Sequence, residues 1–217
     1  MKHYLILLVF SGLLLNSCQN SKPVYSEYVN PMIGTSGHGH TFPGATVSFG
    51  MVQLSPDTYN EGWDWCSGYH YSDSSIMGFS HTHVSGSGRG DLLDVLMMPT
   101  TGAVQFEPGT RENPDSGYRS RFSHKNEIAQ AGYYSVMLDD YQIKTELTAT
   151  LLAGFHRYTF SKDEKANLII NMAHSFKTDS ILNGSIKIVN DTLIVSSHRS
   201  KTGVSGLPVA GSFIWND

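Results

Sequence analysis

Five of the chain's ten histidines, His38, His40, His70, His81 and His83, fall within one segment, and four of them pair at i, i+2 in "GHGH" (37–40) and "HTH" (81–83). On a strand such positions share a face, so either pair could bring two imidazole nitrogens to one metal ion. A cupin-like site follows His-x-His with a glutamate a few residues on. Here "VSGSGRGD" (84–91) follows, and the first carboxylate is Asp91. Asp91 with two histidines would suit iron. Glycine-flanked imidazoles serve more often as hydrogen-bond donors in the wall of a site, so a wall is expected rather than a metal centre.

The aromatic content of "GWDWCSGYHYSDSSIMGFSHTHVSG" (62–86) agrees with that expectation. Trp63 and Trp65 would point to opposite faces of an extended chain, one lining a pocket while the other packs inward. A tryptophan face suits the CH-rich face of a sugar ring, provided polar groups nearby meet its hydroxyls. Trp63 is the stacking candidate, and Asp64, Tyr69, His70, His81 and His83 are the candidate partners. The "GHGH" imidazoles have two readings of equal weight, contact with a ligand or bracing of their own loop. Cys66 is either a small buried side chain or part of the wall. "GSGRG" (86–90) lacks the Gly-Lys-Ser/Thr of a phosphate loop, and the "RGD" at 89–91 is a chance tripeptide. No residue here is assigned to a metal.

The elements that must position these groups read as strands. Of 217 residues, 40% are hydrophobic, 11% aromatic and 16% charged, with 21 glycines. That composition fits a loop-rich all-β domain. A net charge of −4 without a basic cluster argues against nucleic acid and favours a neutral, hydroxyl-rich ligand. Short β-type runs recur at 45–54, 92–100, 102–108, 117–122, 132–138, 141–160, 166–173, 184–190 and 192–198. "YQIKTELTAT" alternates clearly, with Tyr141, Ile143, Thr145, Leu147 and Ala149 on one face. Asn190-Asp191 reads as a hairpin turn, because both residues tolerate positive φ. Amphipathic helical periodicity is missing, so a large antiparallel β-sandwich is expected.

The amino terminus reads as an export signal: Lys2 and His3, an apolar run from Tyr4 to Leu15, then "LNSC" ending at Cys18. Leu-x-small-Cys resembles a bacterial lipobox, in which Cys18 becomes the lipid-modified first residue of a membrane-anchored lipoprotein, periplasmic or at the cell surface. The expected organisation is a signal peptide at 1–17, a polar tether at 18–27 and a sandwich domain at 28–217 that is the front of a longer protein. With Cys18 lipidated, Cys66 has no disulfide partner within the chain.

"YVNPMIGTSGHGHTFPGATVSFGMVQLSPDT" (28–58), the segment at 62–88 and "DLLDVLMMPT" (91–100) together resemble the amino-terminal domain of glycoside hydrolase family 92. "NPMIGTSGHGHTFPGA" and "GFSHTHVSG" carry most of the likeness, which spans residues 28 to 160 in order. The resemblance implies a calcium-dependent, exo-acting, inverting α-mannosidase with two domains, an amino-terminal β-sandwich packed on an (α/α)6 barrel. It also implies that the catalytic acid, the base and most calcium contacts lie in the barrel, and that the sandwich lends its loops to the substrate. Two alternatives stand beside it, a non-catalytic glycan-binding lipoprotein and a metal-dependent enzyme of cupin type.

Overall fold

Ile143, Thr145, Leu147 and Ala149 are all buried along β8 (Ile143–Ala149), while Lys144 and Thr148 are exposed, the alternation of a strand with one wet face. Glu146 breaks the pattern. It belongs to the outer face yet is only 8% exposed, because Arg157 grips its carboxylate through Nε and Nη2 at 2.7 and 2.8 Å and the Tyr133 hydroxyl donates at 2.7 Å. Those hydrogen bonds, Arg157's first, pull its carboxyl down to about 2.

The computed structural model describes residues 24–161 and 165–201, and the backbone of 208–214. The proposed signal peptide and Cys18 lie outside the described residues. The fold is all-β and antiparallel. One sheet runs β1 (Ser55–Asp57), β3 (Gly78–Ser80), β4 (Leu96–Thr101), β10 (Ala166–Asn171). A second runs β6 (Ile128–Gln130), β7 (Tyr133–Leu138), β8, β9 (Gly154–Phe160). A short pair joins β2 (Ser75–Ile76) to β5 (Ser120–Arg121). The last sheet is β11 (Ser180–Asn190), β12 (Leu193–Lys201) and β13 (Pro208–Ile214).

The first two sheets share one core. Phe79, Leu96 and Met98 come from the first; Tyr134, Val136, Leu138, Ile143 and Leu147 come from the second. Ile76 of β2 and, from the connecting segments, Tyr69, Tyr118, Ala45, Leu54 and Phe122 join it.

Several expected strands differ in extent. Residues 45–54 form no strand beyond a single bridge between Ala45 and Leu54. Their apolar composition has another cause: Ala45 and Leu54 are buried, while between them Phe49 and Met51 stand exposed on a tight turn closed by Gly50 N–H to Val47 O. Of the run at 92–100, only the part from Leu96 is strand, since Leu92, Leu93 and Val95 have φ of 68°, 66° and 58°. A β-branched residue in that region is a marked outlier. The run at 102–108 lies outside the strands, and 117–122 contributes only β5. The long run at 141–160 is a hairpin, broken where Thr150 N–H donates to Ala153 O. The hairpin at 190 exists, with its turn one residue later at Asp191-Thr192. It needs no positive φ, because Asn190 Oδ1 accepts from Thr192 N–H at 2.9 Å and caps the turn by its side chain.

Candidate carbohydrate-binding site

Two loops build the site, and glycine decides the course of each. The loop at 34–42 folds back so tightly that Thr41 N–H donates to Gly34 O, and a Cβ on Gly39 would sit 2.1 Å from that same oxygen. Only glycine passes there. His38 and His40 flank this crossing. His38 is largely exposed; His40 is buried, with φ of 53°. The second loop turns at Gly62, whose φ is 92°, into a 3₁₀ turn over Trp63–Trp65. At three residues per turn, side chains two apart diverge strongly. The tryptophans therefore separate as expected, although the chain is not extended.

Trp63 is 55% exposed. Its ring rests against both imidazoles, with His38 at 4.8 Å and tilted, and His40 at 4.4 Å and edge-on. Asp64 binds the same bracket: its Oδ1 lies 2.6 Å from His38 Nδ1 and 4.0 Å from His40 Nε2. Gly88 closes the far side, where a Cβ would meet His40 Nδ1 at 3.2 Å and Trp63 Nε1 at 3.4 Å. Trp65 goes the other way. Its Nε1 donates to Asp73 Oδ2 at 2.6 Å, and the Arg111 guanidinium lies 4.3 Å over its ring. Cys66 is buried, and burial, assisted by the Asp64 charge, pushes its thiol up.

His70 is a brace for this bracket. Its Nε2 donates to Gly37 O at 3.2 Å, its backbone N–H donates to Thr58 Oγ1 at 3.0 Å, and Nδ1 meets Ser72 Oγ at 2.8 Å. Tyr69 stands apart, buried in the core with its hydroxyl donating to Glu127 at 3.0 and 3.1 Å. Burial and the Glu127 charge hold that hydroxyl in its donor form, well above the ordinary phenol range.

The "HTH" pair does not share a face. Residues 81–83 lie beyond the end of β3, so strand alternation no longer governs them. His81 Nδ1 donates to Val95 O at 2.6 Å, and Nε2 meets His156 Nε2 at 3.2 Å across the two sheets. His83 is buried; its Nδ1 donates to Gln53 O at 2.8 Å, and Nε2 lies 2.9 Å from Asp57 Oδ1. Among the described residues, no group of three or more His, Cys, Asp or Glu is placed to hold a metal ion. Asp91 is buried and accepts from Leu92 N–H at 2.8 Å.

Three buried carboxylates that local sequence did not single out organise the surroundings. Asp57 receives His83 and, from 117 residues away, His174 Nε2 at 2.8 Å. Burial pushes its carboxyl up, but the hydrogen bonds from His174 and His83 outweigh it, and the net shift is downward. Asp94 Oδ1 lies 2.8 Å from His198 Nε2. Glu127 gathers Tyr69, Tyr134 and His124. Local spacing does not reveal most of these pairs, because His174, His198 and Tyr69 lie far in sequence from the carboxylates they meet.

Solved relatives share the fold of this chain. A family GH92 α-mannosidase from Bacteroides thetaiotaomicron, solved in complex with mannoimidazole, superposes with a TM-score of 0.80 and 42% identity over 83% of this chain and 24% of its own. An inverting family GH92 mannosidase from Bacteroides thetaiotaomicron VPI-5482 superposes with a TM-score of 0.64 and 26% identity, over 82% and 23%. An uncharacterized secreted glycosidase from Arthroderma benhamiae is 25% identical over 206 residues, 88% of this chain and 25% of its own length. The chain thus spans about a quarter of the length of these relatives. With its all-β fold and the model of the glycosyl hydrolase family 92 N-terminal domain matching residues 28–213, the chain belongs to that family.

Proposed function

We propose that this domain forms one wall of an α-mannose site in an exported, lipid-anchored, inverting α-mannosidase of α-1,2 type, attached to the membrane through Cys18. The observation that carries the reading is Trp63, an exposed indole fixed between His38, His40 and Gly88 with the Asp64 carboxylate beside it. An indole held at a set angle presents apolar surface to the CH face of a pyranose at little entropic cost, and Asp64 accepts from a sugar hydroxyl. His70 acts by holding the loop that carries His38. His81, His83 and Tyr69 act from inside, fixing the sheets under the wall.

Inversion requires one carboxylic acid for the leaving oxygen and a second carboxylate to activate water. Asp57 and Asp94 each face a histidine and are fully buried, and Glu127 is occupied by three donors. Following the family resemblance, the acid and base are proposed to belong to a partner domain, an (α/α)6 barrel, outside this chain. The exposed Phe49, Met51, Leu151 and Leu152, whose turns join through Met51 N–H to Leu151 O, give such a domain an apolar surface to pack on. Calcium takes six to eight oxygens, and among the described residues no group of three or more His, Cys, Asp or Glu is placed to hold an ion; the calcium the resemblance implies is proposed to be bound mostly by the partner domain.

The test is calorimetric titration of α-1,2-mannobiose into the chain and its Trp63→Ala variant. Loss of the platform should weaken binding at least about fivefold, the equivalent of roughly 1 kcal/mol of apolar contact. An unchanged affinity would refute the wall.

A further inference from the structure

We infer that the hollow beside Tyr71 is a second carbohydrate subsite, taking a neutral pyranose one residue along the same glycan. The inference rests on the reading of the Trp63 wall, and it goes beyond it in place and residues.

Tyr71 is 42% exposed, and one face of its ring is stacked on His124, with centroids 4.0 Å apart and planes 9° from parallel. His124 is itself immobilised. Its Nε2 donates to Tyr71 O at 2.7 Å, its Nδ1 lies 2.5 Å from Glu127 Oε2, and the Phe122 ring meets it edge-on at 5.1 Å. Tyr71 N–H donates to Thr35 O at 2.8 Å. The exposed aromatic is thus pinned through its backbone and one face, which leaves the other face and the edge to a ligand. A rigid, half-covered ring of this kind offers apolar area without ordering cost on binding.

The hollow is an open depression of about 340 Å³, within the range of small-molecule pockets, and its rim is polar. Asn30 uses Oδ1 to accept from Met32 N–H, which leaves its amide N–H groups to the rim, and the Ser36 side chain is exposed beside it. Glu127 forms the floor, its side chain only 2% exposed. None of the residues lining the hollow is a lysine or arginine that would pair with an acidic sugar, so a neutral pyranose with hydroxyls toward Asn30 and Ser36 is the matching chemistry. The position supports a linked glycan. Thr35 and Ser36 border the hollow, and two residues on His38 touches Trp63, so both platforms flank one loop.

The experiment titrates methyl α-mannopyranoside and α-1,2-linked mannotriose separately into the chain, Tyr71→Ala, Tyr71→Phe and Trp63→Ala, with near-ultraviolet circular dichroism as the fold control. Tyr71→Ala should lower trisaccharide affinity about fivefold or more and leave the monosaccharide affinity unchanged, and Tyr71→Phe should bind as the parent does. Equal trisaccharide affinity in Tyr71→Ala and parent overturns the subsite, as does a parent chain that binds no trisaccharide at millimolar concentration. Loss of trisaccharide binding in Tyr71→Ala with no change in Trp63→Ala would keep the subsite and refute the Trp63 wall.

Discussion

Gly37 and Gly39 sit two residues apart in "GHGH" and are glycines for different reasons. Gly37 has a φ of 57°, and the space its Cβ would occupy is open, with nothing within 4 Å, so alanine there meets only backbone strain. Gly39 lies outside the left-handed region but passes so close to Gly34 that a Cβ would stand 2.1 Å from the carbonyl oxygen, where no side chain fits. Gly37→Ala should therefore cost about 1 kcal/mol, and Gly39→Ala more, about 1–3 kcal/mol or above, because backbone must move. Urea denaturation of the two variants checks the order; equal midpoints would contradict the crossing. At this scale the sequence was informative about kind and weak about role. The sequence singles out Trp63 and Asp64 for a wall and leaves the "GHGH" imidazoles between ligand contact and bracing; the structure brings Trp63 and Asp64 together with His38 and His40. His81 and His83 looked equivalent in sequence, yet they reach partners at His156 and Asp57 that no local spacing reveals.

Among the elements, β8 and its neighbours were legible because one wet face imposes period two. Residues 45–54 and 92–95 were not, since an exposed apolar turn and buried left-handed residues share the apolar composition of strands. Where the two sheets meet, His81 and His156 set a pH dependence. Burial holds His81 down to about 4, and burial together with the charge of His81 holds His156 well below the ordinary imidazole value. An unfolded chain takes up protons near pH 6.5, while these folded rings do so only at lower pH. Their contribution is complete above about 6.5 and drains away as pH falls toward 4, by up to about 1.4 kcal/mol per pH unit for each proton. His198 has the opposite sign: the hydrogen bond with Asp94 raises it, so its contribution is present at low pH and lost as pH rises through its folded value. Two depressed rings outweigh one raised ring. The urea midpoint should fall between pH 7 and pH 5, less steeply in His156→Phe. A midpoint that rises over that interval would contradict the arrangement.

For the whole molecule, short β-type runs without amphipathic helical periodicity pointed to an all-β architecture, and the fold is all-β. What the sequence left out is long-range pairing: the closing of both sheets over one core and the carboxylates Asp57, Asp94 and Glu127 that tie distant segments to it. The proposal that the acid and base belong to a partner domain leads to an expectation about activity. Purified chain with calcium and an α-1,2-mannobiose substrate should release no mannose above the buffer rate, and measurable turnover would place an acid–base pair in this domain after all. The wall itself is tested most directly by nuclear magnetic resonance of methyl α-mannoside bound to the chain. Upfield ring-current shifts of the sugar CH protons, with cross-relaxation to the Trp63 indole that disappears in Trp63→Ala, are the predicted result. Bound sugar whose protons show neither shift nor contact with Trp63 would contradict it.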